Sequence, residues 1–204
     1  MRLLTQLANA LQTPSDWFTT RHDHALGASG TVFRLLYYPK VNAESDGYED
    51  GVDIRAGAHS DYGSLTLLFQ LPGQPGLEIK TPQGEWASVP VDPANESGAE
   101  HRKTLPILVN IGDLLEDWTD GLLKSTVHRV IFPLGSKAGG DRYSMAYFCH
   151  PLDDALLEPV PSEVVREHAA GNGSVRSRKG ERGVMTARDH LMARLAETYK
   201  VGGH

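Results

Sequence analysis

The residues best suited to chemistry begin at His59-Ser60-Asp61. If the backbone from His59 onward is extended, side chains two positions apart share one face, and an imidazole and a carboxylate placed that way can grip one ion. A third ligand has to come from another strand. His128, within Ser125-Thr126-Val127-His128-Arg129-Val130, is the best placed, near the end of the sheet region where a strand can return beside His59. Two histidines and one carboxylate on one face leave three adjacent coordination positions open, which suits ferrous iron and oxygen chemistry. Taken alone, His128 reads more readily as a satisfied, half-buried strand histidine. Arg142-Tyr143-Ser144 supplies a second constellation. On a strand Arg142 and Ser144 share a face, where a guanidinium fork and a hydroxyl can bind one carboxylate.

Other polar groups have weaker claims. His22-Asp23-His24 has metal-like spacing but lacks a third ligand in its segment. His101, His150, His168, His190 and His204 have neither partners nor spacing and read as surface or terminal residues. Asn110 and Asp113 read as turn residues that satisfy local backbone groups, and Arg129 as a structural partner for an acid. Cys149, the one cysteine, lies in an apolar stretch and reads as a small buried residue. With no internal disulfide possible, any metal must be held by nitrogen and oxygen.

The elements that must position these groups follow from pattern. The 204 residues can bury a sizeable core and favour one domain, residues 1–204. Leu3, Leu4, Leu7, Ala8 and Leu11 recur at helical spacing over residues 2–12. Thr13 reads as the N-cap of a further helix with Pro14 in its first turn. A chain opening inside a packed helix reads as the remainder of something longer. Strands are expected over Thr31–Tyr38, from His59 through Asp61, and over Leu77–Lys80, Trp86–Val91, Leu105–Ile111, Ser125–Phe132 and Arg142–His150. The acidic stretch 41–53, the polar stretch 92–103 and residues 133–141 read as loops and a turn. Residues 169–183, rich in Gly, Ser, Arg and Lys, read as mobile. Thr186-Ala187-Arg188-Asp189 has capping-box spacing and opens a closing helix. Short strands between Gly/Pro turns imply an antiparallel sandwich or barrel flanked by helices.

Composition excludes several partners. Hydrophobic content of 40%, charged content of 23% and a net charge of -6 describe an ordinary globular chain and argue against nucleic acid or anionic membrane as its partner. No apolar run approaches the roughly 20 residues of a membrane span, and no signal-peptide core follows Met1, so a cytoplasmic address is expected. Oligomeric state is not indicated.

The order Tyr37-Tyr38-Pro39, His59-Ser60-Asp61, Asn110-Ile111-Gly112-Asp113, His128-Arg129-Val130 and Arg142-Tyr143-Ser144 resembles the iron and 2-oxoglutarate dependent dioxygenases of the isopenicillin N synthase-like group. The likeness is detailed over about residues 31–152, with flanking helices over 2–24 and 186–200. It implies a mainly β fold, the double-stranded β-helix or jelly roll. It also implies that His59, Asp61 and His128 hold Fe(II), and that Arg142 and Ser144 bind the distal carboxylate of 2-oxoglutarate, with Tyr38 adding a hydroxyl. The implied reaction consumes O2 and 2-oxoglutarate, releases succinate and CO2, and hydroxylates, desaturates or cyclises a small-molecule substrate. Arg55, Tyr62, Phe148 and residues 41–54 are nominated for the pocket wall. Leu36 stands where the group commonly has Asn, and the long N-terminal region common in the group is not matched. Two other readings stay open: an Fe(II) oxidase of the same fold in which Arg142 and Ser144 hold a substrate carboxylate, and a truncated, non-catalytic binding module.

Overall fold

Eight strands form two four-stranded antiparallel sheets in a computed structural model that describes residues 1–41, 54–93, 105–132, 140–172 and 184–201. The stretches 42–53, 94–104, 133–139 and 173–183, with most of the expected loops, lie outside the described residues, as do His101 and His204. The strands are β1 (Val32–Tyr38), β2 (Ile54–His59), β3 (Leu65–Gln70), β4 (Leu77–Lys80), β5 (Trp86–Ser88), β6 (Leu108–Ile111), β7 (His128–Ile131) and β8 (Arg142–Cys149). One sheet has the order β1-β8-β3-β6 and the other β2-β7-β4-β5. Consecutive strands thus mostly lie in opposite sheets, as the double-stranded β-helix requires.

Strand β8 shows how pattern becomes geometry. Arg142, Ser144 and Ala146 are buried while Tyr143 and Met145 face out, the period-two alternation of a strand with one face inward. Its register sets Tyr38 against Arg142 and Leu36 against Ser144 on β1, and Phe148 against Thr66 on β3. The outward face is itself apolar: Phe33, Leu35 and Tyr37 are 55%, 74% and 56% exposed. Tyr37 stacks on Tyr143 with ring centroids 4.9 Å apart.

Helices close the structure: α1 (Arg2–Ala10), α2 (Trp17–Thr20), α3 (Asp113–Trp118), α4 (Glu163–Asn172) and α5 (Ala187–Val201). Leu114, Leu115 and Trp118 of α3 are fully buried against Leu4, Ala8, Trp17 and Phe18. Trp17, Phe18 and Trp118 meet at centroid distances of 4.7, 5.0 and 5.7 Å, burying the large aromatic area that dominates such cores. The capping box forms as expected. The Asp189 backbone N–H donates to Thr186 Oγ1 at 3.1 Å, and the Thr186 N–H donates to Asp189 Oδ2 at 3.2 Å.

Two local expectations are corrected. Thr13 is not the N-cap of the second helix, which starts after Asp16. Gln12 adopts a φ of 55° that turns the chain back at the end of α1, and the Thr13 N–H and hydroxyl then donate to Ala8 O at 3.0 and 3.2 Å. Nor does one strand carry both His59 and Asp61. Strand β2 ends at His59, and residues 60–64 cross to β3 in the other sheet.

His150 and His190, expected at the surface, are each 5% exposed, and His22 is 3% exposed. His22 Nδ1–H donates to Phe18 O at 2.7 Å, and its Nε2 accepts from Ser64 Oγ at 2.9 Å. This use as a neutral strut leaves His22-Asp23-His24 no part in metal binding. Burial pushes His22 and His150 down to about 4. Both sit below the unfolded value of about 6.5, so the unfolded chain binds more protons between these limits. Stability is then full above about pH 6.5 and is lost as pH falls towards 4, by on the order of 3 kcal/mol per histidine. Urea melts at pH 7.5, 6 and 4.5 should show falling midpoints, while His22→Gln should flatten the dependence.

Candidate metal centre

The short crossing from β2 to β3 is pinned before it carries any ligand. Helix α3 starts without a side-chain cap. Its first N–H groups are instead satisfied by that crossing: Asp113 N–H donates to Asp61 O at 2.7 Å and Leu114 N–H to Gly63 O at 3.2 Å. Orphan donors at a helix start need partners of this kind. Gly112 is required at the junction, because a Cβ there would strike the Gly63 carbonyl. The Ser60 hydroxyl donates to Asp113 Oδ2 at 3.0 Å. The sequence motif Asn110-Ile111-Gly112-Asp113 is thus the seat on which the Asp61 crossing rests.

His59 and His128 are register partners across β2 and β7, with ring centroids 4.4 Å apart. His59 Nδ1 lies 2.7 Å from Gly57 O, and His128 Nδ1 lies 2.9 Å from Thr126 O. A carbonyl can only accept, so each Nδ1 carries the proton and each Nε2 presents a lone pair. Asp61 is 6% exposed. Its Oδ2 accepts from Thr66 Oγ1 at 2.6 Å and Asn110 Nδ2 at 2.8 Å. Oδ1 remains, 3.7 Å from His128 Nε2. Ligand atoms of His59, Asp61 and His128 all lie within 4.8 Å of one another. Two lone-pair nitrogens and one carboxylate oxygen, each oriented by a second hydrogen bond, are the donor set a divalent metal needs, so the residues fit an iron(II) ion.

The same cavity reaches Arg142, Ser144, Tyr38 and Phe148. Arg142 is 1% exposed. Its Nη1 lies 3.4 Å from Ser144 Oγ and its Nη2 donates to Gln70 Oε1 at 3.1 Å. Its Cζ is 5.5 Å from the Tyr38 ring centroid. Its Nε has no partner, and the titratable groups that act on it among the described residues are Tyr38 and Arg55, not a carboxylate. Burial lowers its pKa, outweighing the opposing effect of Tyr38. A guanidinium taken out of water without a counter-charge is unfavourable unless an anion completes it.

Residues 29–151 match the 2OG-Fe(II) oxygenase superfamily. The chain belongs to that family. The chain is 34% identical over 164 residues to a 2-oxoglutarate-dependent dioxygenase of Aspergillus rugulosus, covering 78% of this chain and 45% of the relative. It is 32% identical over 203 residues to a proline hydroxylase of Petromyces alliaceus, covering 98% and 55%. Among solved structures, a full-length Neurospora crassa protein in complex with alpha-KG and thymine superposes with a TM-score of 0.71 at 32% identity, covering 97% of this chain and 52% of that one. The chain therefore spans about half the length of the curated relatives it matches.

Sequence reasoning assigned Asn110 to a turn. In the structure its side chain instead donates to Asp61, with Thr66 beside it on the neighbouring strand. Gln70, which accepts from Arg142, likewise carries no local signal in the sequence. Of the nominated wall residues, Phe148 lines the cavity. Arg55 lies over the Phe132 ring, and Tyr62 turns to α5, bonding Thr198 Oγ1 at 2.6 Å. Arg129 pairs with Glu78 at 2.7 Å, the structural use expected. Asn110→Ala should weaken divalent-metal binding about tenfold to a hundredfold, as removal of an outer hydrogen-bond partner does. A Co(II) titration with the affinity unchanged would show Asn110 to be idle.

Proposed function

We propose that this chain is a non-haem Fe(II) and 2-oxoglutarate dependent oxygenase acting on a C–H bond of a small organic substrate. Residues 1–204 serve as one unit, its core over 31–152 between flanking helices. His59, Asp61 and His128 are the metal ligands. Arg142 and Ser144 bind the distal carboxylate of 2-oxoglutarate, with the Tyr38 hydroxyl as a further donor. The observation that carries this reading is the division of labour within the triad: every outer atom is committed to a hydrogen bond, and the three remaining donor atoms converge. Fe(II) with 2-oxoglutarate and O2 supplies oxidative decarboxylation to succinate and CO2, coupled to oxidation of the substrate.

The protein's part is placement. Arg142 lies at one end of β8 and Phe148 six residues along on the same cavity-facing row. At about 3.4 Å per residue the two ends are roughly 20 Å apart, far more than one 2-oxoglutarate spans. Phe148 stands opposite Thr66, whose hydroxyl holds Asp61. The clamp end thus suits the cosubstrate, and the Phe148 end suits the substrate. Arg34 sits beside it, its Cζ 5.7 Å from the Phe148 ring. A small molecule with a flat or apolar body fits there. A cytoplasmic address belongs to the same reading. Among the described residues no helix is long and apolar enough to cross a membrane.

The test is optical. Anaerobic addition of 2-oxoglutarate to the Fe(II)-loaded protein should give a visible metal-to-ligand charge-transfer band that disappears on exposure to O2. No band at saturating 2-oxoglutarate would overturn the use of 2-oxoglutarate and leave Arg142 to hold a substrate carboxylate.

A further inference from the structure

Among the described residues none of helix α5 joins the triad or lines the cavity, yet one stripe of the helix runs along the support of Asp61. His190, Arg194 and Thr198 are four residues apart and so lie one above another on one helix face. His190 Nε2 lies 3.2 Å from Asp117 Oδ2 near the end of α3. Arg194 Nη2 donates to Asp113 Oδ2 at 2.7 Å at the start of α3. Thr198 Oγ1 and the Tyr62 hydroxyl are 2.6 Å apart, and Tyr62 directly follows Asp61. The three contacts step antiparallel along α3 and end on the crossing between the sheets. Arg194 also lies 5.6 Å from the Tyr62 ring centroid.

The middle contact reaches furthest inward. Asp113 Oδ2 takes both the Arg194 guanidinium and the Ser60 hydroxyl, while the Asp113 N–H holds the Asp61 carbonyl. Arg194 is thus two hydrogen bonds from the residue between His59 and Asp61. The Arg194–Asp113 pair is half-buried, with side chains 34% and 15% exposed, a setting in which a charge-assisted bond fixes geometry better than at an open surface.

We propose that the His190, Arg194 and Thr198 stripe of α5 is a positioning device for the Asp61 crossing, with Arg194 its principal positioning residue. It sets how well the Asp61 carboxylate is presented to a divalent metal. The inference rests on the reading of His59, Asp61 and His128 as metal ligands.

Co(II) titration of the whole chain, followed by visible absorption, tests it alongside thermal melts without metal. Arg194→Gln should raise the Co(II) dissociation constant about tenfold, the low end for loss of an outer support. Arg194→Lys, which retains a cation for Asp113, should recover most of the affinity. Arg194→Gln combined with Asp113→Asn should be no worse than Asp113→Asn alone, because residues in one network do not add. Tyr62→Phe deletes only the outermost contact and should weaken Co(II) severalfold, which keeps the test open if Arg194→Gln does not fold. A lowered melting temperature with unchanged Co(II) affinity in Arg194→Gln and Tyr62→Phe would overturn the positioning role and leave α5 a structural cover. Failure of the unaltered protein to bind Co(II) would instead remove the metal reading, and this inference with it.

Discussion

Asp61→Asn is expected to reduce 2-oxoglutarate-dependent succinate release to the metal-free background, a loss of about a thousandfold or more if the metal supplies several kcal/mol. The substitution keeps the shape of the side chain. Its amide oxygen can take the place of Oδ2 and still accept from Thr66 and Asn110. The amide nitrogen then occupies the place of Oδ1 with no lone pair to offer. The fold is preserved while the ligand is removed, so melting of the metal-free protein should change little, and Fe(II) should no longer raise the midpoint. Asp61→Ala should be as inactive but less stable, because Thr66 and Asn110 lose their shared acceptor. Succinate release at the unaltered rate from Asp61→Asn would end the assignment of this residue to the metal.

Arg142→Met is expected to act with opposite signs on two measurements. Loss of the clamp should raise the 2-oxoglutarate concentration for half-saturation about a hundredfold or more, since removing one partner of a buried charge pair costs about 2–5 kcal/mol. The same change should raise, not lower, the melting temperature of the protein without 2-oxoglutarate. Arg142 is 1% exposed, its Nε lacks a partner, and no described carboxylate balances it. Replacing such a buried ion with an apolar side chain of similar length is neutral or favourable. The Fe(II) affinity should not move, because Arg142 supports none of the three ligands. A uniform loss of stability, metal binding and 2-oxoglutarate binding would show instead that Arg142 holds the barrel together.

What could be seen in the sequence divides according to distance along the chain. The alternation of Arg142, Tyr143 and Ser144 and the capping box at Thr186 and Asp189 depend on residues two or three apart, and both patterns form. The return of His128 beside His59 needed one guess about strand order, and the register makes the two partners. The contacts on Asp61 needed more. Thr66 and Asn110 meet because β3 and β6 are neighbours in the sheet that also holds β1 and β8, and no local pattern in either strand carries that fact. Gln70 was missed for the same reason, since only the pairing of β3 with β8 brings it to Arg142. His150 and His190 looked like surface residues because isolated polar residues usually are. Their burial comes from α5 packing near the end of β8, where a Cβ on Gly30 would meet Leu191 and stand 3.4 Å from the His150 ring. Thr13 misled through competition between two local motifs, and the positive φ at Gln12 decided it in favour of closing α1.

The division of the triad between the two sheets has a mechanical corollary. Both histidines belong to β2 and β7, whereas the carboxylate is moored by Thr66 and Asn110 to β3 and β6. An ion bound by all three is a clasp joining the two sheets. Its binding energy opposes the parting of the sheets in particular. At a hundred times the dissociation constant, that opposition is worth about 2.7 kcal/mol. Amide hydrogens along β2 and β7 should therefore exchange about a hundredfold more slowly when the clasp is fastened, while those of α4, which carries none of the three ligands, keep their pace. Loaded protein would outlast empty protein against proteolysis by a similar factor, and the supply of metal would govern how long the chain survives as well as what it can do.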